Sequence, residues 1–158
     1  VHRLDKDTSG LIVFARTPAA LAHIGLQFAK RRTDKSYQAL IWGEPSEDTG
    51  LVDQPLIADW PNRPKQHISA QYGRPAQTEW RVMDRSDPVR VLLRPLTGRT
   101  HQLRVHMAFL GHPILGDNLY AHAAALNASA RLCLHACALS FVHTSKGTTL
   151  QFSSETPC

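Results

Sequence analysis

Gln77-Thr78-Glu79-Trp80-Arg81-Val82-Met83 alternates in character, Asp84-Arg85-Ser86-Asp87-Pro88 interrupts it, and Val89-Arg90-Val91-Leu92-Leu93-Arg94-Pro95-Leu96 runs extended until Thr97-Gly98 stops it. A period of two on both sides of a polar, proline-bearing turn predicts two adjacent antiparallel strands, with Trp80 and Val82 on one face. The period then changes. Leu103, Met107 and Leu110 recur at helical spacing, so a helix begins near Thr100. Gly111 closes it and Pro113 follows.

Moving outward, 11–15 (Leu-Ile-Val-Phe-Ala) reads as a short buried strand. Thr17-Pro18 supplies an N-cap with proline at the first helical position, and Leu21, Ile24 and Phe28 give that helix an inner face. Lys30, Arg31 and Arg32 close it, where cations suit the C-terminal dipole or meet phosphate. Residues 35–43 read as a strand ending at Gly43, and Leu51 to Ile57 as another. Asp59-Trp60-Pro61-Asn62-Arg63-Pro64-Lys65-Gln66 is a basic loop broken by two prolines, either a rigid turn or an RNA contact through Trp60. The alanine-rich stretch 121–130 reads as helix, Leu132 to Val142 as a strand, and Thr149 to Phe152 as the last strand. Strands outnumber helices without alternating with them. The expected class is α+β, with a mixed, mainly antiparallel sheet flanked by helices in a single domain over 1–158.

The net charge of +5 and pI of about 9.5 favour a polyanionic partner such as nucleic acid. No apolar run approaches the ~18 residues of a membrane span, and no signal peptide is visible. Three cysteines make no disulfide framework, which points to a reduced, cytoplasmic protein. The chain starts at Val1 in what reads as the middle of a motif, so residues upstream are expected.

Two stretches carry chemistry. In Arg3-Leu4-Asp5-Lys6-Asp7-Thr8-Ser9-Gly10, flanking cations favour an ionised Asp5 able to act as nucleophile, base or electrostatic stabiliser. The same residues suit a plain turn with local side-chain hydrogen bonds. Asp5-Lys6-Asp7-Thr8 also fits the D-x-D-x-T pattern of haloacid-dehalogenase-type phosphatases. That chemistry needs a hydrophobic strand leading into the first Asp and a downstream acidic pair for Mg²⁺, and neither is present in the sequence. The second stretch runs from Thr97 to Met107. His101 and His106 do not form H-E-x-x-H, and Cys133, His135 and Cys137 at period two are poor zinc geometry, so no metal is expected.

His2-Arg3-Leu4-Asp5-x-x-Thr8-Ser9-Gly10 resembles the catalytic motif of the RluA-type pseudouridine synthases. Lys35-Ser36-Tyr37-x-Ala39 is similar to that family's tyrosine motif. Gly98-Arg99-Thr100-His101-Gln102-Leu103-Arg104-Val105-His106, with Gly111-His112-Pro113-Ile114 and Gly116-Asp117, is similar to its third motif. The loop at 59–66 resembles the RluA subgroup, which acts on a tRNA anticodon stem-loop and large-subunit ribosomal RNA. The resemblance implies the family's catalytic domain without its N-terminal strands, isomerising uridine to pseudouridine in RNA. It implies no cofactor, no metal and no membrane, and the expected state is a monomer. It makes Asp5 the catalytic aspartate and Arg3 the residue that fills the gap left by a flipped base. Tyr37 would lie against that base or remove a ribose proton, Arg104 would pair with Asp5, and Leu103 would line the pocket. Arg63, Lys65, Arg99 and His101 would contact RNA. A passive RNA-binding module would need the basic loops but not Asp5 opposite Arg104.

Overall fold

The computed structural model describes residues 1–158. Its elements run β1 (Ser9–Gly10), α1 (Pro18–Ala29), β2 (Asp34–Ile41), β3 (Thr49–Asp53), β4 (Leu56–Ala58), a 3-10 turn (Trp60–Asn62), β5 (Gln66–Ile68), β6 (Gln77–Asp84), β7 (Val89–Pro95), α2 (Gln102–Phe109), α3 (Ala123–Asn127), β8 (Leu134–Val142) and β9 (Thr149–Ser153). The main sheet has the order β1-β8-β2-β7-β6-β3, and β9 also pairs with β8. Every pairing is antiparallel except β1 with β8. The mainly antiparallel α+β architecture is thus as expected, and the predicted hairpin is β6–β7, running straight into α2.

The alternation of β2, β6 and β7 puts Ala39, Ile41, Trp80, Val91 and Leu93 into one core with Leu103 and Met107 of α2. A second cluster joins Ile24 of α1 to Leu139 and Phe141 of β8. The two helices cover the same face of the sheet, because of a bulge. Ser36 pairs with Ala138 but Tyr37 pairs with Ala136, so Cys137 is an extra residue in β8. The period of two is interrupted there, and Cys133, His135 and Cys137 do not form one regular row. Lys35 lies opposite Leu139 in α1's cluster, while Tyr37 packs against the core under α2. The two helices therefore leave a cleft between them, floored by β2.

The Thr17 cap is present, its hydroxyl accepting from the Ala20 N–H at 3.1 Å. Three expected elements differ. Residues 11–15 form no strand: Leu11 N–H makes one more bond to Ala136 O, and β9 then occupies that edge of β8 from Ala138 onward. Ile12 and Phe14 are consequently exposed. Leu51–Ile57 is split at Pro55, its halves β3 and β4 belonging to different sheets. Within 121–130 only Ala123–Asn127 is helical, since Ala125 alone is buried there and little apolar contact holds a longer helix.

Gly10 has φ +113, and a Cβ added to it would lie 2.3 Å from Ala136 O. Gly25, in the middle of α1, has nothing within 4 Å of its would-be Cβ. Gly10→Ala is expected to lower unfolding free energy by about 2 kcal/mol or more. Gly25→Ala should raise it by roughly 0.5–1 kcal/mol. Urea denaturation midpoints of the two variants test both signs.

Candidate active site

The cleft has a volume of about 650 Å³ and is lined by the opening residues, α1, β2 and the β7–α2 turn. Arg3, Asp5, Tyr37, Arg99 and Leu103 all face it. The two stretches singled out in the sequence therefore meet. Asp5 is half-buried in the cleft wall, whereas Asp7 is exposed and does not line it.

Local hydrogen bonds fix the opening stretch. The Thr8 N–H donates to Asp5 O at 3.0 Å and closes a turn. Arg131 Nη2 donates to Ser9 Oγ at 2.7 Å, and the same hydroxyl meets His135 Nδ1 at 2.8 Å. The other ring nitrogen of His135 meets Ser154 Oγ at 3.1 Å. Ser9 and Gly10 thus moor the stretch to β8, and Asp5 projects from the moored turn.

The cleft is cationic. Arg3, Arg31, Lys35 and Arg99 line it, and none of them forms an ion pair. Asp34, the other acid on its wall, is held by Arg94 at 2.7 Å. Burial pulls the Lys35 ammonium below its usual pKa. The Lys35 Nζ sits 5.9 Å from the Phe28 ring centroid, and His2 stacks on the same ring at 4.5 Å. The Tyr37 phenol is pushed up to about 12 by burial, then by the neighbouring Asp5 charge and the Cys137 thiol. Tyr37 accordingly presents a neutral ring beside Asp5 at ordinary pH.

The third-motif stretch divides its labour. The Gln102 side chain accepts from Thr97 Oγ1 (2.7 Å) and Arg99 N (3.1 Å), and donates to Gln77 O (2.9 Å) and Thr78 Oγ1 (3.0 Å). Thr78 Oγ1 also meets His106 Nδ1 at 2.8 Å, and His106 Nε2 donates to Gln54 O at 2.9 Å. Burial pulls the His106 pKa down, consistent with a neutral ring between those partners. Gln102 and His106 are therefore holding α2 onto β6. Only Leu103, of the buried helix residues 103–107, lines the cleft.

Two expectations change here. Arg104 does not form its ion pair with Asp5. Its guanidinium makes a two-pronged bond to Asp117, Nε to Oδ2 at 2.9 Å and Nη2 to Oδ1 at 2.6 Å, with both side chains buried. Asp117 is fully buried and needs a cation, while Asp5 is only half-buried, so the deeper carboxylate captures the arginine. His101 is not on the surface: it is buried, and its Nδ1 lies 2.6 Å from Tyr120 Oη. Burial lowers its pKa, against the opposing pull of Asp5.

Arg63 and Lys65 lie outside the cleft, on the β4–β5 hairpin. There the Arg63 guanidinium covers the Trp60 ring at 4.4 Å, and Trp60 is 64% exposed. Asp117 stands in the third-motif stretch, but sequence reasoning assigned it no role of its own; Tyr120 was missed and carried no signal.

The family model described as "RNA pseudouridylate synthase" matches residues 1–109. The dual-specificity RNA pseudouridine synthase RluA of Salmonella typhi is 53% identical over 154 residues, covering 96% of this chain and 70% of that protein. The proteins of the same name from Yersinia pestis and Escherichia coli K12 are 52% and 51% identical, with 98% of this chain and 76% and 71% of theirs covered. Among solved structures, human RNA pseudouridylate synthase domain containing 1 superposes with a TM-score of 0.86 at 32% identity, covering 99% of this chain and 68% of that one.

The buried Arg104–Asp117 pair generates a stability prediction. Asp117→Ala leaves a buried guanidinium uncompensated and should cost about 3–5 kcal/mol, measured by chemical denaturation. Asp7→Ala, at an exposed position outside the cleft, should change stability by less than about 0.5 kcal/mol.

Proposed function

The chain belongs to the RNA pseudouridylate synthase family, and from that premise we propose how its cleft isomerises uridine and which RNA it takes. In the reaction the C1′–N1 glycosidic bond breaks and a C1′–C5 bond forms. N1 gains a proton and the C5 proton leaves, so no atom or electron is left over and the scheme needs neither cofactor nor metal. Asp5 is the catalytic aspartate in this reading. The observation that carries it is the convergence of Asp5, Tyr37 and Leu103 on one cleft whose wall is made of unpaired cations.

A uridine must leave its stack before its glycosidic bond is reachable, at a cost of a few kcal/mol. Arg3, exposed at the cleft edge, replaces the lost stacking and holds phosphate. Tyr37 lies against the flipped base. Its raised pKa supports stacking over proton removal, because a phenolate there is costly. Leu103 packs on the base from the opposite element. Arg104 acts at one remove, securing Asp117 and the base of the cleft. Arg99, Arg63 and Lys65 meet the phosphate backbone, with Trp60 as a stacking platform. The relatives at 51–53% identity are named as dual-specificity RluA enzymes, and this supports a tRNA anticodon stem-loop, large-subunit ribosomal RNA, or both as substrate. We place the enzyme in the cytoplasm as a monomer.

Stem-loop RNA carrying tritium at uridine C5 tests the chemistry. Asp5→Asn should lower label release by at least about 10³-fold, while RNA affinity stays within about threefold. Undiminished release by that variant would end the assignment. A second measurement isolates the hairpin. Replacing both Arg63 and Lys65 by Ala should reduce the slope of log K against log[salt] by about 2, one for each lost phosphate contact. An unchanged slope removes the hairpin from the RNA surface.

A further inference from the structure

Three elements meet at the hydroxyl of Tyr120. The backbone N–H of Gln66, the first residue of β5, lies 2.9 Å from Tyr120 Oη. An N–H can only donate, so the oxygen accepts. His101 Nδ1 lies 2.6 Å away on the other side and shares a second hydrogen bond with the same hydroxyl. Burial lowers the pKa of the ring and so favours its neutral form.

His101 is also the residue at which α2 begins, and its backbone is left-handed, with φ 54. A non-glycine residue holds that conformation only where its surroundings impose it. The bond from Tyr120 is such an imposition. Tyr120 is itself fixed: its N–H donates to Asp117 Oδ1 at 3.2 Å, and its ring lies 5.3 Å from the Arg104 guanidinium. The negative charge of Asp5 acts on both His101 and Tyr120. One short path therefore runs from the hairpin bearing Trp60, through Gln66, Tyr120 and His101, to the helix that places Leu103 in the cleft. Tyr120 lies beyond the residues that the family model matches.

We propose that Tyr120 is a positioning residue whose hydroxyl latches the root of the β4–β5 hairpin to His101, setting the entry of α2 in register with RNA held on the hairpin. The proposal rests on the reading that the hairpin contacts RNA and Asp5 performs the chemistry. In this role the latch adds little to RNA affinity. It determines how well the flipped base is seated when the reaction occurs.

Tyr120→Phe tests this, because it keeps the ring and its contacts and removes only the hydroxyl. By NMR hydrogen exchange in the RNA-free protein, the Gln66 amide should exchange at least about tenfold faster, while amides of β6 and β7 stay as they were. In single-turnover assays at saturating tritiated anticodon stem-loop, label release should slow by about 10- to 100-fold, with the RNA Kd within about threefold of the parent. His101→Asn tolerates the left-handed backbone and offers an amide oxygen to the same hydroxyl, so it should retain more of the rate than His101→Leu. A Tyr120→Phe rate within twofold of the parent overturns the latch. So does a loss confined to Kd, or one explained by a smaller active fraction at unchanged rate. If the parent protein itself releases no label from any RNA, the functional reading beneath the latch falls instead.

Discussion

Arg104 and Asp117 hold each other out of water, and much of the cleft depends on that contact. Both side chains are buried, and the guanidinium meets the carboxylate through two bonds. Removing two charges from water is expensive, so such a pair is stable only when its remaining hydrogen-bonding capacity is met. Here it is. Asp117 Oδ1 also accepts from the backbone of Leu119 and Tyr120, and Arg104 Nη2 reaches Asn118 Oδ1. The pair does more than tie α2 to a loop. It folds residues 117–120 into a turn that presents Tyr120 to His101 and to the hairpin root. A pair of aliphatic side chains would fill the same volume, but it could not accept those backbone N–H groups.

This shows why the longest motif in the sequence is not all chemistry. In Gly98 to His106, Leu103 and Arg99 line the cleft. Gln102 satisfies one strand and a turn with one amide, and His106 closes a buried chain from Thr78 to Gln54. A helix that starts at the edge of a cleft exposes unpaired N–H groups at its first turn. The usual remedy is a Ser, Thr or Asp cap, and none stands at His101, which makes no side-chain bond to the helix. The sequence instead spends polar side chains on holding the helix sideways. That leaves its entry open towards the substrate.

The β6–β7 hairpin, the helix after it, the Thr17 cap and the antiparallel class were legible because each rests on local periodicity or a local cap. The meeting of Asp5 with Tyr37 and Leu103 was legible only through resemblance, since no local rule joins positions so far apart in the chain. The errors share one cause. Residues 11–15 have the apolar character of a strand, but β9 takes the edge they would pair with, and that competition is decided by another part of the chain. Arg104 was assigned to Asp5 by resemblance. The winner was set by burial, which gives Asp117 no alternative to the guanidinium, whereas Asp5 is only half-buried. Tyr120 was missed because its role comes from what its hydroxyl reaches rather than from any pattern around it.

The electrostatics of the cleft follow from the same economy of pairing. The strongest pair is sealed below the surface, and the surface ion pairs of Arg85 and Arg94 lie among exposed side chains. What remains along the cleft is Arg3, Arg31, Lys35 and Arg99 without acidic partners. Unpaired cations repel one another and lower stability, a cost that folding alone gives no reason to accept. It is recovered when a polyanion enters, because its phosphates replace the missing partners and release their own counterions. A lone carboxylate at the same wall would resist that polyanion if it faced it directly. Asp5, the one acid in the cleft that no arginine claims, is half-buried in a wall it shares with a neutral Tyr37, and the unpaired cations of the same cleft let RNA be drawn in by charge.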